Sequence, residues 1–236
     1  MKKIKIYYQQ FEGDGYIPDM KNSPLPLDGV GIEPKRQIQE IPNTKTYYEC
    51  PAFQHKASRE FIVYAARDIR LEIDRVNRFV NSSLREDQFH KYIQGQNRSN
   101  LETYQLPIPM FLFWTKEKNV WLDQSPHPNN ALCNFVTIGG WWNLSSWTRP
   151  LSFAIDILDD TKPIVIKRGD PLYKVRFFKE GDLNCQFTLV KARPDDLLVE
   201  DTQRRIALKD VIPKLSKNLM FKKQESKCPF AFLYKK

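Results

Sequence analysis

The sequence predicts a mainly β protein, an antiparallel β-sandwich or barrel followed by a short C-terminal helical segment. Three observations carry that expectation. Short apolar runs recur through the middle of the chain, separated about every ten residues by Gly, Pro and Asp, the punctuation of short strands and tight turns. Within residues 68–74, Ile69, Leu71 and Ile73 alternate with Asp68, Arg70, Glu72 and Asp74, the period-two pattern of a strand with one wet face. The only extended stretch with apolar residues at helical spacing is 195–217, where Leu197, Leu198, Ile206, Leu208, Val211, Ile212 and Leu215 oppose charged positions.

The chain divides into three parts. Residues 1–46 are expected to form an extended Pro-rich arm: after the strand-like run Ile4–Tyr8 come Gly13-Asp14-Gly15, Ser23-Pro24-Leu25-Pro26 and Glu33-Pro34, which remove ladder donors and force turns. Residues 47–192 are the expected β core. Its strands are Phe61–Tyr64, the alternating run after Asp68, Met110–Trp114, Val120–Leu122, three apolar runs (Leu132–Ile138, Leu151–Leu158, Ile164–Ile166) and Leu172–Phe178. Lys116–Asn119 reads as the turn of a hairpin, Gly95–Thr103 as a polar connection, and Leu84–Gln94 as a short helix capped by Ser82 or Ser83. Residues 193–236 are expected to be basic and helical, in two pieces because Pro213 interrupts the pattern.

The chain has 236 residues, 41% hydrophobic, 28% charged and 13% aromatic. That composition excludes intrinsic disorder and suffices for a sizeable core without a metal or disulfide staple. No apolar run approaches the roughly 20 residues that span a bilayer, and the stretch Met1–Tyr8 is too short for a signal peptide. A soluble protein made inside the cell, with no membrane partner, is expected. Cys50, Cys133, Cys185 and Cys228 are scattered without a CxxC pair, and His55, His90 and His127 stand alone. Reduced, mostly buried thiols and no metal or cofactor are therefore expected. Residues 191–236 hold twelve Lys or Arg against six Asp or Glu, which places +6 of the formal +9 there. Such a tail can follow a phosphate backbone, and Arg204, Arg205, Lys222 and Lys223 are its candidate nucleic-acid contacts. A solvated helix face is the blander explanation.

The densest chemical feature is Thr137–Ile157, with Gly139-Gly140-Trp141-Trp142-Asn143 and Trp147-Thr148-Arg149-Pro150, continuing into Ile164–Ile166, the turn Arg168-Gly169-Asp170-Pro171 and Leu172–Phe178. Two adjacent tryptophans on a strand point to opposite faces, so one of Trp141 and Trp142 faces outward unless both faces are covered. An exposed ring beside Arg149 or Arg176 can stack on a base or a sugar, while the inward member fills core. Asp156, Asp159 and Asp160 read as a hairpin turn that caps its own backbone rather than as a carboxylate site. No P-loop, dinucleotide-binding turn or GxSxG elbow occurs.

The segment from Gly140 through the Gly169 turn resembles the β-clip core of deoxyuridine triphosphatases and deoxycytidine triphosphate deaminases, which makes a β-clip-like barrel the alternative to a sandwich. In those enzymes an aspartate in the glycine turn handles the attacking water; Asn143 stands here and does not accept a proton. Ser145-Ser146-Trp147-Thr148-Arg149 is similar to the deaminases' Ser-Ser-x-x-Arg but lies on the other side of the glycine turn. A wider resemblance, over about residues 47–180, is to an uncharacterised family of tailed, especially marine T4-like, bacteriophages. It rests on Glu49-Cys50-Pro51-Ala52-Phe53, Asp68-Ile69-Arg70-Leu71, Trp147-Thr148-Arg149-Pro150-Leu151 and Ile166-Lys167-Arg168-Gly169-Asp170-Pro171-Leu172.

The expectation is a non-enzymatic phage protein, virion-associated or accessory, whose β core binds a phage or host protein. It would be made in the host cytoplasm and carried into the virion if structural. The candidate contact residues are Trp141, Trp142, Asn143, Trp147, Arg149, Arg168 and Arg176, with no catalytic residue assigned. The alternatives are a diverged nucleotide-binding or nucleotide-processing enzyme near Asn143, Ser145, Ser146 and Arg149, and a nucleic-acid binder that uses the basic tail. The enzyme likeness also implies a homo-oligomer, since those sites form between subunits.

Overall fold

A computed structural model describes residues 2–11, 33–37, 49–65, 68–74, 79–82, 94–98, 101–144, 147, 151–182 and 184–192. The elements in chain order are β1 (Lys3–Phe11), β2 (Lys35–Arg36), α1 (Pro51–Ala57), β3 (Glu60–Tyr64), β4 (Ile69–Asp74), β5 (Phe79–Ser82), β6 (Gln94–Arg98) and β7 (Leu101–Trp114). They continue with β8 (Val120–Pro126), a 3₁₀ helix (Pro128–Cys133), β9 (Phe135–Ile138), β10 (Gly140–Asn143), β11 (Leu151–Ile157), β12 (Ile164–Ile166), β13 (Pro171–Lys179) and β14 (Gln186–Lys191).

The strands make three sheets: β14-β1-β7-β11-β9 with β6 also on β7, β10-β8-β13-β3-β2, and β12-β4-β5. The two larger sheets pack face to face through aromatic contacts: Phe113 meets Phe177 at 5.7 Å between ring centroids, Phe153 meets Tyr173 at 5.8 Å, and Phe187 meets Phe177 at 5.9 Å. Ile69, Leu71, Ile164 and Ile166 of the small sheet join the same core. The described residues are thus mainly β and sandwich-like, and their open sheets close no barrel.

Alternation explains the layering. In β8, Val120, Leu122 and Gln124 are buried while Trp121, Asp123 and Ser125 are not; in β13, Val175 and Phe177 are buried while Lys174, Arg176 and Phe178 are partly exposed. The expected hairpin around Lys116–Asn119 is corrected by the topology. Strands β7 and β8 are both present but lie in different sheets, so this turn carries the chain across the sandwich. Asn119, with φ of 56°, takes the left-handed conformation that such a reversal needs.

The start of the arm expected over residues 1–46 is corrected, while residues 12–32 and 38–46 of it lie outside the described residues. Lys3–Phe11 is an inner strand, parallel to β14 and antiparallel to β7, because Ile4, Ile6 and Tyr8 fall at period two and are all buried. Lys35–Arg36 adds a short edge to β3. The helix expected at Leu84–Gln94, apart from Gln94 itself, and the C-terminal segment 193–236 also lie outside them.

The long strand β7 changes partner midway. Residues Leu101–Gln105 pair with β6, and Met110–Trp114 pair with β1. Pro107 and Pro109, which have no N–H to donate, fall in the gap. On the other side the register of β11 slips between Leu151 and Phe153 over the same stretch, so a bulge absorbs the missing donors.

Candidate functional site

The outward face of the sheet β10-β8-β13 carries the arrangement most suited to binding. Register sets it: Trp141 lies opposite Asp123, which lies opposite Arg176, and Asn143 lies opposite Trp121, which lies opposite Phe178. Trp121 and Phe178 are near-parallel, with 6.4 Å between centroids and 7° between planes. Trp141 leans on both, 6.0 Å from Trp121 and 5.3 Å from Phe178, with tilts of 45° and 43°. Its indole nevertheless remains 64% exposed. A large ring held on two others loses little freedom when a ligand settles on it.

A charged row runs beside the rings. The Arg176 guanidinium donates to Asp123 Oδ2 at 2.7 Å, with side-chain exposures of 37% and 21%. Glu60, directly across from Arg176 on β3, is buried between Lys56 and Lys174, each 3.7 Å away. The row therefore presents donors and acceptors together.

Trp142 points the other way. It packs against the core with Trp147, 5.9 Å between centroids, and its ring occupies the space a Cβ on Gly140 would need, 2.6 Å from Cη2. At Gly139 a Cβ would run into the backbone oxygen of Gln124. The paired glycines thus let the chain pass from β9 in one sheet to β10 in the other while both tryptophans take their places.

Of the residues expected to form a contact surface, the structure brings Trp141, Asn143 and Arg176 onto one face. Trp142 and Trp147 belong to the opposite side. Arg168 sits in the turn before β13, at the far end of that strand from Phe178, with its N–H donating to Asp68 Oδ1 at 2.7 Å. Gly169 there has φ of 91° and Asp170 Oδ2 accepts from the Lys167 N–H at 2.7 Å, so the tripeptide is a tight turn. Arg149, Ser145, Ser146, Arg204, Arg205, Lys222 and Lys223 lie outside the described residues. Trp121, Asp123 and Phe178 complete the face and were not among the expected contacts. The signal was present: the charged Asp123 and Arg176 mark the wet positions, and Trp121 and Phe178 share their parity.

Elsewhere among the described residues the titratable groups are engaged in caps, turns and core packing. His127 caps the 3₁₀ helix: its Nδ1 accepts from the Asn129 N–H at 3.2 Å, and its own N–H donates to Asn130 Oδ1 at 3.0 Å. Burial, with the Lys174 ammonium adding to it, pushes its imidazole down to about 4, which keeps that acceptor neutral. Burial raises the Cys133 and Cys185 thiols, away from the nucleophilic thiolate. Cys50, contrary to the expectation of mostly buried thiols, is exposed. Asp159 accepts from Thr161 and pairs with Lys162 at 2.8 Å, so it caps its own turn as expected, but the hairpin expected there is corrected, because β11 and β12 lie in different sheets. Among the described residues no group of three or more His, Cys, Asp and Glu side chains is placed to hold a metal, and no helix is long and apolar enough to cross a membrane. No protein-family model matches the chain, and no curated protein matches it.

Proposed function

We propose that this chain is a non-enzymatic binding module whose contact surface is the outer face of β10-β8-β13. The observation that carries the reading is Trp141: a tryptophan left 64% exposed while braced by two further rings. Rigid, exposed aromatic anchors flanked by polar groups are where binding energy concentrates. The resemblance to the tailed-phage family makes the module a virion-associated or accessory protein of a phage. Asn143 in place of a proton-accepting carboxylate, and a His127 already engaged in a cap, favour binding over hydrolysis of a nucleotide.

The test is quantitative capture from lysates of phage-infected cells with wild-type and Trp141→Ala chains as bait. The expected result is at least one component enriched by the wild type and reduced about tenfold with the variant. Equal enrichment by both baits would remove this face from the account.

A further inference from the structure

We infer that the ligand of this face is a single-stranded nucleic acid, with a base stacked on Trp141 and the backbone crossing the basic side chains of β13 and its neighbours. The inference rests on the reading of the outer face as the contact surface and names what that surface takes. A single strand offers unpaired bases, whose flat faces stack on aromatic rings, and phosphates, which attract cations. A site for it must hold both within the reach of a nucleotide or two. A duplex keeps the same base faces stacked away from such a ring.

Register puts both on this face. The exposed Trp141 indole supplies the stacking plane, and the parallel pair Trp121 and Phe178 fixes its tilt. Arg176 lies two strands away across Asp123, about 10 Å at roughly 4.8 Å per strand. Lys174 follows two residues along β13, about 7 Å further on. It lies opposite Ile62, which lies opposite Lys35. Lys56 reaches the same row from α1 by way of Glu60, the residue across from Arg176.

Charge selects among ligands that stack on aromatic rings. The outward positions of β2, β3, β8, β10 and β13 carry Lys35, Lys174 and Arg176 against Glu60 and Asp123, and α1 adds Lys56. The acids are also the less accessible members. Glu60, with a side chain 3% exposed, lies between Lys174 and a Lys56 that is 52% exposed, so one carboxylate stands beneath two ammonium groups. Asp123 engages one terminal nitrogen of Arg176, whose side chain is the more exposed of the two. A guanidinium has further donors for a phosphate oxygen. Four bases over two acids present the excess of positive charge that a phosphate backbone needs and a neutral ligand does not. The formal +9 of the whole chain favours encounter with the same kind of ligand.

The test is fluorescence anisotropy of labelled oligothymidylate and oligouridylate titrated with the full-length chain at low and high salt. Labelled poly-glutamate serves as a polyanion without bases. The expected result is that at least one oligonucleotide binds with a Kd below about 100 μM at low salt and more weakly as salt rises, while poly-glutamate binds less tightly. Trp141→Ala should weaken the oligonucleotide at least about tenfold, and Trp141→Phe, which keeps a ring, should retain part of the affinity. Arg176→Gln should lower the slope of log K against log salt by about 0.7, the share of one phosphate contact on a single strand. A cooperative urea transition shows that each variant is folded. Failure of both oligonucleotides to bind overturns the inference. So does binding that survives Trp141→Ala, including binding lost instead in the variant Arg204→Gln/Arg205→Gln/Lys222→Gln/Lys223→Gln, which would place it on the C-terminal segment. Poly-glutamate bound as tightly as the oligonucleotides, and lost in Trp141→Ala, also overturns it but leaves the face as a contact surface. Equal capture by both baits in the lysate experiment removes the face itself, so the two failures are distinguishable.

Discussion

Trp141 and Trp142 are neighbours on one short strand, yet they do opposite work. Trp142 turns inward, fills the space over Gly140 and packs with Trp147 against the core. Trp141 turns outward onto Trp121 and Phe178 and keeps most of its surface in water. A folded chain gains little by leaving the largest apolar side chain exposed. The outward face is therefore where a role other than folding is to be sought, and the inward side is where stability resides.

The inward side also contains a polar knot, and breaking it gives the largest expected effect. Asn130 is fully buried. Its Nδ2 donates to the Pro171 carbonyl at 2.9 Å, and its Oδ1 accepts from the His127 N–H at 3.0 Å and from Thr137 Oγ1 at 3.2 Å. Asn130→Ala leaves buried groups unpaired and should cost about 3 kcal/mol or more in urea unfolding, with binding per folded molecule unchanged. Gly139→Ala comes next, at about 2 kcal/mol, because the new methyl meets the backbone of β8 rather than a side chain that can step aside.

Acid should sharpen the same contrast. Unfolded His127 titrates near its ordinary 6.5 and folded His127 near 4, so between those values the unfolded chain binds the extra proton. Stability is full above pH 6.5 and falls as pH drops toward 4, by about 1–2 kcal/mol once partial exposure of the ring is allowed for. His127→Asn, which keeps a capping oxygen, should flatten that limb in unfolding curves measured across the interval. The smallest effect is expected on the outer face. Arg176→Ala removes a half-exposed ion pair and should change stability by less than about 1 kcal/mol, while weakening whatever settles beside Trp141.

The legibility of the sequence followed the same division. The strands at Leu151–Ile157 and Pro171–Lys179 were readable because their inward residues are apolar at period two. Strand β1 was readable as a strand but not as an inner one, since nothing in Ile4–Tyr8 names β14 as its parallel partner. Gln94–Arg98 contains no apolar residue, so the pattern that marks strands is missing and only pairing with β7 reveals it. The run at Leu132–Ile138 reads as continuous in the sequence, yet the cap formed by His127 and Asn130 carries a 3₁₀ helix through Cys133 and leaves Leu132 86% exposed. Helix α1 was missed although Pro51 sits at its first turn, where its absent donor is harmless. At the site, outward pointing of one tryptophan was foreseeable from alternation. That Phe178 and not Phe177 would meet it depended on the parity set by Arg176.

The measurement that tests the central claim most directly is urea unfolding of Trp141→Ala beside Trp142→Ala. The account predicts a loss of about 1 kcal/mol or less for the first and about 2–4 kcal/mol for the second. A Trp141→Ala chain as unstable as Trp142→Ala would show that the outer rings belong to the fold, and the case for a binding face would fall with it.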